Sequence, residues 1–233
     1  MIKEFITEKG IQEIKNHKYV GGEYTTIDLK MNKFWTACLN YVPTYISPNM
    51  ITFIGSFTYI FSVILLMRTS ISFDVERPRF NYFICGLALL FYQTMDAIDG
   101  KQARRLGRST PLGQLVDHGC DCITTTFLIY NVFCCFKIEN DNITAMLVVF
   151  LVILLFYYAN WAEYFTGVLV TAHNNIGVTE IQFFIIIFNW VTALMSCSFW
   201  HMSILGKLTR FQAIFPYMYR LFCFGKLQFQ FNY

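Results

Sequence analysis

Residues 142–162 read NITAMLVVFLVILLFYYANWA, a run without one charged side chain. The hydrocarbon core of a bilayer takes about 20 apolar residues as a helix, so this stretch alone is long enough to span it. Uncharged windows recur on either side, at Met50–Met67, Phe80–Met95, Cys122–Phe136 and Ile181–Gly206. The second and third are short for spans unless their helices run on into Asp96–Asp99 and back to Leu112. A sixth helix is expected around Ile204–Phe224. Of the 233 residues, 55% are hydrophobic and 14% charged, against about 25% charged in an ordinary soluble domain. The chain lacks the charge to coat itself in water, so lipid must solvate much of it. The pattern predicts an all-α polytopic membrane protein of about six transmembrane helices.

The same arithmetic excludes other classes. A net charge of +3 is too small and diffuse to argue for nucleic acid. The eight cysteines mostly lie in apolar runs and show no C-x-x-C spacing, which speaks against a zinc knuckle or a disulfide scaffold. Early charges such as Lys3, Glu4, Glu8 and Lys9 rule out a signal peptide.

Residues 1–46 read as a cytosolic N-terminal segment, 47–224 as one membrane domain and 225–233 as a tail. Within the first segment Met31, Phe34, Trp35, Cys38, Leu39 and Val42 repeat at helical spacing and end at Pro43. Such a stripe just ahead of a span predicts an amphipathic helix in the membrane interface, the alternative being a helix packed on the rest of the protein. Ser47-Pro48 then supplies a cap and a first-turn proline for the first span. Lysine and arginine orient the chain. A cytosolic N-terminus groups six N-terminal lysines with Lys101, Arg104, Arg105 and Arg108, and leaves Arg68, Arg77, Arg79 and Lys137 on the other side. The Asn142-Ile143-Thr144 sequon then faces the lumen, but it abuts a span and is expected to be unmodified.

Four carboxylates stand out against this background: Asp96 and Asp99, three apart, and Asp117 and Asp121, four apart. Both spacings put a pair on one helix face. A short loop joins the two helices, so both pairs converge at the cytosolic end. A carboxylate in a span costs about 2.5 to 3.5 kcal/mol on insertion scales, and clustering adds repulsion. Hard divalent cations, a pair of Mg²⁺ or Mn²⁺ ions, would offset that cost while leaving coordination positions for a phosphate. Gly100 and Ala103 allow close backbone approach, Arg104 suits a phosphate, and Gly113 keeps space beside Asp117.

These residues carry a resemblance. Asp96 to Asp121 fits D-x2-D-G-x2-A-R-x8-G-x3-D-x3-D without a gap, and is similar to the signature of the CDP-alcohol phosphatidyltransferase family. The fuller wording of Met95–Arg105 and Pro111–Asp121 resembles the choline- and ethanolaminephosphotransferase branch. So do Ser47-Pro48-Asn49 and Trp161–Gly167. The resemblance implies attack by the diacylglycerol hydroxyl on CDP-choline or CDP-ethanolamine, with release of CMP, in the endoplasmic reticulum or Golgi bilayer with the site facing the cytosol. It implies metal binding by Asp96, Asp99 and Asp117, with Asp121 reaching the second ion. It also implies diphosphate contact by Arg104 and nucleotide contact by Asn49.

The general base stays open between His118 and Asp121. A metal-bound carboxylate is a poor proton acceptor, whereas imidazole has an unperturbed pKa of about 6.5. Glu163 either orients His118 or the acceptor hydroxyl, or is an interfacial charge. His173 and Glu180 read as ordinary loop or helix-start residues, and Tyr157, Tyr158, Trp161, Tyr164 and Phe165 as an interfacial belt. Members of this branch look like ten-helix proteins that form homodimers, and this sequence stops near the sixth helix. A truncated inactive homologue is therefore one alternative. A divalent-cation transporter is another, although it has no use for Arg104 and Gly100.

Overall fold

The computed structural model describes residues 7–16, 19–22, 24–138, 143–173, 176–204 and 208–209. Helices α1 (Glu8–Asn16) and α2 (Thr26–Tyr41) precede α3 (Pro48–Met67), α4 (Arg79–Arg105) and α5 (Pro111–Phe136). Next come α6 (Ile143–Thr166), α7 (Val178–Met195) and the single turn α8 (Ser198–His201). Two antiparallel pairs of two-residue strands, Ala172–His173 with Ile176–Gly177 and Ser203–Ile204 with Leu208–Thr209, are the only strands among the described residues. Four described helices, α3, α5, α6 from Ala145 and α7, are long and apolar enough to cross a membrane. The second uncharged window lies in α4, whose 27 residues run past Met95 and carry Asp96 and Asp99 into the last turns. Likewise α5 reaches back to Pro111. Both short windows thus lie within longer helices, although α4, with its charged last turns, is not among the four apolar enough to span.

Helix α3 packs between α4 and α5, and α4 packs on α7. Two glycines set the spacing. A β-carbon at Gly55 would lie 2.7 Å from Met95 Cβ, and one at Gly86 would lie 2.5 Å from Trp190 Nε1, so only glycine lets these backbones approach so closely. Around them Tyr59, Val63, Leu66, Tyr82, Leu89, Phe136, Ile185 and Ile186 are buried together. Asn131 on α5 and Asn189 on α7 exchange amide hydrogen bonds of 3.1 and 2.7 Å in the middle of this core. Both are wholly buried. Such a pair satisfies two amides in an apolar medium and fixes the register of two helices.

One expectation is corrected, and two others gain detail. Much of the α2 stripe packs on the protein: Met31, Trp35, Cys38, Leu39 and Val42 lie with Ile51 of α3 and Met95, Ala97 and Ile98 of α4, while Phe34 is 48% exposed. Polar ties reinforce the docking, because Arg105 donates to the Leu39 and Val42 carbonyls at 3.2 Å and Gln102 to those of Pro43 and Ile46 at 3.1 Å. The window Ile181–Gly206 is not one helix. Helix α7 stops at Met195, Ser196 takes φ of 73°, and Trp200 folds back to donate to the Thr192 hydroxyl at 2.8 Å. Packing against Phe136 and Phe188 takes that ring into the core. Arg77, in the loop between α3 and α4, is only 2% exposed. The sixth helix over Ile204–Phe224 lies almost entirely outside the described residues, as do Asn142 of the sequon and the tail 225–233.

Candidate active site

The site forms where the last turns of α4 meet the first turns of α5. Thr110 caps α5 by accepting from Gly113 N at 3.1 Å, with Pro111 in the first turn. Ser47 caps α3 by accepting from Met50 N at 3.3 Å. These two caps set three helix ends around one volume. Oxygen atoms of Asp96, Asp99 and Asp117 lie within 4.8 Å of one another. Asp99, 6% exposed, accepts from the Thr52 hydroxyl of α3. Asp117 Oδ1 is buried without a hydrogen-bond partner. Asp121 stands outside the trio and accepts from the Tyr92 hydroxyl. Among the described residues the one ion pair joins Lys9 to Glu13, far from this cluster in sequence and at the surface. The described residues therefore supply no salt-bridge partner for these buried carboxylates. Hard oxygen donors at this spacing, one of them orphaned, fit a divalent cation.

The neighbouring positions also converge. A β-carbon at Gly113 would lie 3.6 Å from Asn49 Oδ1, so glycine holds open the space that the Asn49 amide faces. One at Gly100 would lie 3.5 Å from Arg104 Nη1, which places the exposed guanidinium over that glycine. Ala103 is half-buried beside it. Backbone access, an amide and an arginine fork thus border the carboxylates, an arrangement suited to a phosphate bridged by a metal.

On the α6 side two ties reach α5. His118 Nδ1 lies 2.9 Å from Asn160 Oδ1, while Asn160 Nδ2 donates to the Phe156 carbonyl at 2.8 Å. With the amide nitrogen so engaged, the Asn160 oxygen accepts, and His118 carries its proton on Nδ1. That leaves Nε2 as the acceptor nitrogen of the ring. Gln114 Nε2 donates to Glu163 Oε1 at 2.6 Å. The hydrogen bond to His118 comes from Asn160, while Glu163 bonds Gln114. Sequence reading did not single out Asn160, Gln114, Thr52 or Tyr92. One signal was available: Asn160 and Glu163 are polar residues three apart in an apolar helix, matching Gln114 and His118 four apart in α5.

Glu180 is a helix-start residue, its Oε2 accepting from Gly177 N at 2.8 Å, and it is also buried, with Oε1 unpartnered. Tyr157, Trp161, Tyr164 and Phe165 are exposed along the end of α6, as a belt would be.

The profile of the CDP-alcohol phosphatidyltransferase family matches residues 45–216, which encompass every one of these carboxylates. The chain belongs to this family. A CDP-alcohol phosphatidyltransferase class-I family protein of Dictyostelium discoideum is 37% identical over 84% of the chain and 49% of its own length. Cholinephosphotransferase 1 of Rattus norvegicus is 31% identical over 83% of the chain and 48% of its own length. The human cholinephosphotransferase 1 is 29% identical over 87% and 50%. The chain spans about half the length of these relatives. Membership agrees with the four apolar helices in describing an integral membrane protein. It also agrees with the choline- and ethanolaminephosphotransferase branch. None of these likenesses supports a homodimer.

Proposed function

We propose that this chain transfers phosphocholine or phosphoethanolamine from a CDP-alcohol to diacylglycerol, releasing CMP and leaving phosphatidylcholine or phosphatidylethanolamine in the bilayer. The observation that carries the reading is the trio Asp96, Asp99 and Asp117, gathered within 4.8 Å with no basic residue paired to it among the described residues. Mg²⁺ or Mn²⁺, when bound by these carboxylates and by Asp121, supplies positive charge for the diphosphate and for the departing CMP. Arg104 grips the diphosphate from above Gly100. Asn49 orients the nucleotide in the space left by Gly113. Thr52 and Tyr92 hold the carboxylates of Asp99 and Asp121 in place.

The acceptor hydroxyl attacks the phosphorus that bears the alcohol. A new O–P bond forms, the O–P bond to CMP breaks, and the hydroxyl proton passes to His118 Nε2. That assignment favours His118 over Asp121, because Asn160 fixes Nδ1–H while Asp121 already accepts from Tyr92. The charge distribution of the loops supports a site on the cytosolic face, and the membrane we assign, endoplasmic reticulum or Golgi, follows from the family resemblance.

The test is CMP release by purified protein in diacylglycerol-containing micelles with Mg²⁺ or Mn²⁺, supplied in parallel with CDP-choline and CDP-ethanolamine. Metal-dependent release is expected, reduced about 1,000-fold by Asp117→Ala, as for loss of a group that stabilises charge in the transition state. Equal release by the variant would sink the assignment. The faster donor identifies the head group.

A further inference from the structure

The last turns of α4 carry two working faces. Asp96, Asp99, Gly100 and Ala103 repeat at i, i+3, i+4, i+7 spacing and border the site. Ile98, Lys101, Gln102 and Arg105 repeat at the same spacing on another side of the helix. The proposed reaction uses only the first face. The second is nevertheless engaged along its whole length. Ile98 packs with Trp35 and Ile51, and Lys101 donates to Asn32 Oδ1 on α2. Arg105 donates to the Leu39 and Val42 carbonyls where α2 ends, a helix end that has no basic residue of its own and where the dipole favours a cation.

Gln102 is the buried centre of this second face. It is 0% exposed, and its Nε2 donates at 3.1 Å to the Pro43 carbonyl and at 3.1 Å to the Ile46 carbonyl. Two carbonyls on one amide nitrogen fix which way the amide points. Ile46 N returns to the Pro43 carbonyl at 3.2 Å, so residues 43–46 form a turn closed on the Gln102 amide. Ser47, the next residue, caps α3, and Asn49 stands in the first turn of that helix with its Oδ1 toward Gly113. Thr52, one turn after Pro48, donates to Asp99 on the other face of α4. The start of α3 is thus held by α4 both before and after Asn49.

Resting on the reading given under Proposed function, we propose that Gln102 is a positioning residue for the donor nucleotide. By closing the turn at 43–46 it sets where Asn49 stands relative to Arg104 and the carboxylates. Arg105 supports the same turn from the end of α2. One helix then registers the two halves of the donor against each other. Its first face meets metal and diphosphate, and its second places the group that meets the nucleotide.

The test is steady-state CMP release by the full chain in diacylglycerol-containing micelles with Mn²⁺, using whichever of CDP-choline and CDP-ethanolamine reacts faster. Gln102→Met keeps the length of the side chain and removes its donors. It should raise donor KM about tenfold, the size of one lost hydrogen-bonded contact, with kcat and the half-saturating Mn²⁺ concentration unchanged. Asn49→Ala should raise KM by a similar factor. Because Gln102 acts through Asn49, the double variant should stand about tenfold above wild type rather than about a hundredfold. A merely structural role would reduce the amount of active protein, and so the apparent kcat, while leaving KM alone. Arg105→Met, at an exposed position, should raise KM about threefold and decides the case if Gln102→Met does not fold. Unchanged KM in folded Gln102→Met, or in Arg105→Met where it stands in, overturns the positioning role alone. So does a double variant whose KM factors multiply. Wild type silent with both donors overturns the functional reading, and the positioning role falls with it.

Discussion

The two ends of the helix bundle treat buried charge in opposite ways. At the end away from the motif, Arg77 is almost wholly enclosed, and the chain satisfies it. Its guanidinium donates to the carbonyls of Leu66, Ser70, Ser72 and Val75 and to the Tyr130 hydroxyl, at 2.6 to 3.2 Å. The Tyr130 ring lies 5.9 Å beneath it. At the motif end, three carboxylates crowd together and Asp117 Oδ1 is left without a partner. Burying a charge is expensive at either end. A charge whose acceptors come from its own loop and helix end is a clasp. A cluster that the fold leaves uncompensated is built for a ligand from outside, and the difference separates structure from function.

The comparison can be broken most easily at Arg77. Arg77→Met should remove about 3 kcal/mol of stability, since several buried carbonyls lose their donor. Denaturation in micelles measures this. At a temperature where the variant is folded, CMP release should be unchanged. A variant as stable as wild type would mean that this end is not self-satisfied. At the other end, saturating Mn²⁺ should stabilise wild type by about 2.7 kcal/mol at 100 times its dissociation constant. Asp99→Asn should lose that gain, and a gain retained by the variant would move the cation elsewhere. A smaller effect sharpens the contrast within the site. Asn160→Leu should lower kcat about tenfold with donor KM unchanged, because it frees the His118 ring without touching the carboxylates. A parallel rise in KM would make Asn160 part of the binding wall instead.

Legibility in the sequence divides along the same line. Asp96, Asp99, Asp117 and Asp121 announced themselves because charge is rare in apolar runs and their spacing is local. Gly113 came through the motif, and Asn49 through the resemblance of Ser47-Pro48-Asn49. The extension of α4 and α5 beyond their uncharged windows came from the length a span needs. Other features depend on partners far along the chain. The α2 stripe required an apolar partner, but amphipathicity does not say whether that partner is lipid or α4. His118 and Asn160 are 42 positions apart, and periodicity carries no pairing information across that distance. The end of α7 is set at Ser196, a non-glycine residue with positive φ held by the return of Trp200 onto Thr192, so no glycine or proline marked the break.

Helix α6 adds one consequence. Only 6% of its apolar window is buried; Ala145 reaches the core with Val148, Val149 and Val152 packed against it, and further along α6 meets α5. The hydrogen bonds Asn160–His118 and Glu163–Gln114 tie it to the first turns of α5, on either side of Asp117. Toward its C-terminal end, α6 therefore meets the rest of the protein through the helix that carries Asp117. Substitutions of the exposed side chains at this end, such as Trp161, are expected to alter turnover more than the melting curve, so kinetics is the instrument that reads it.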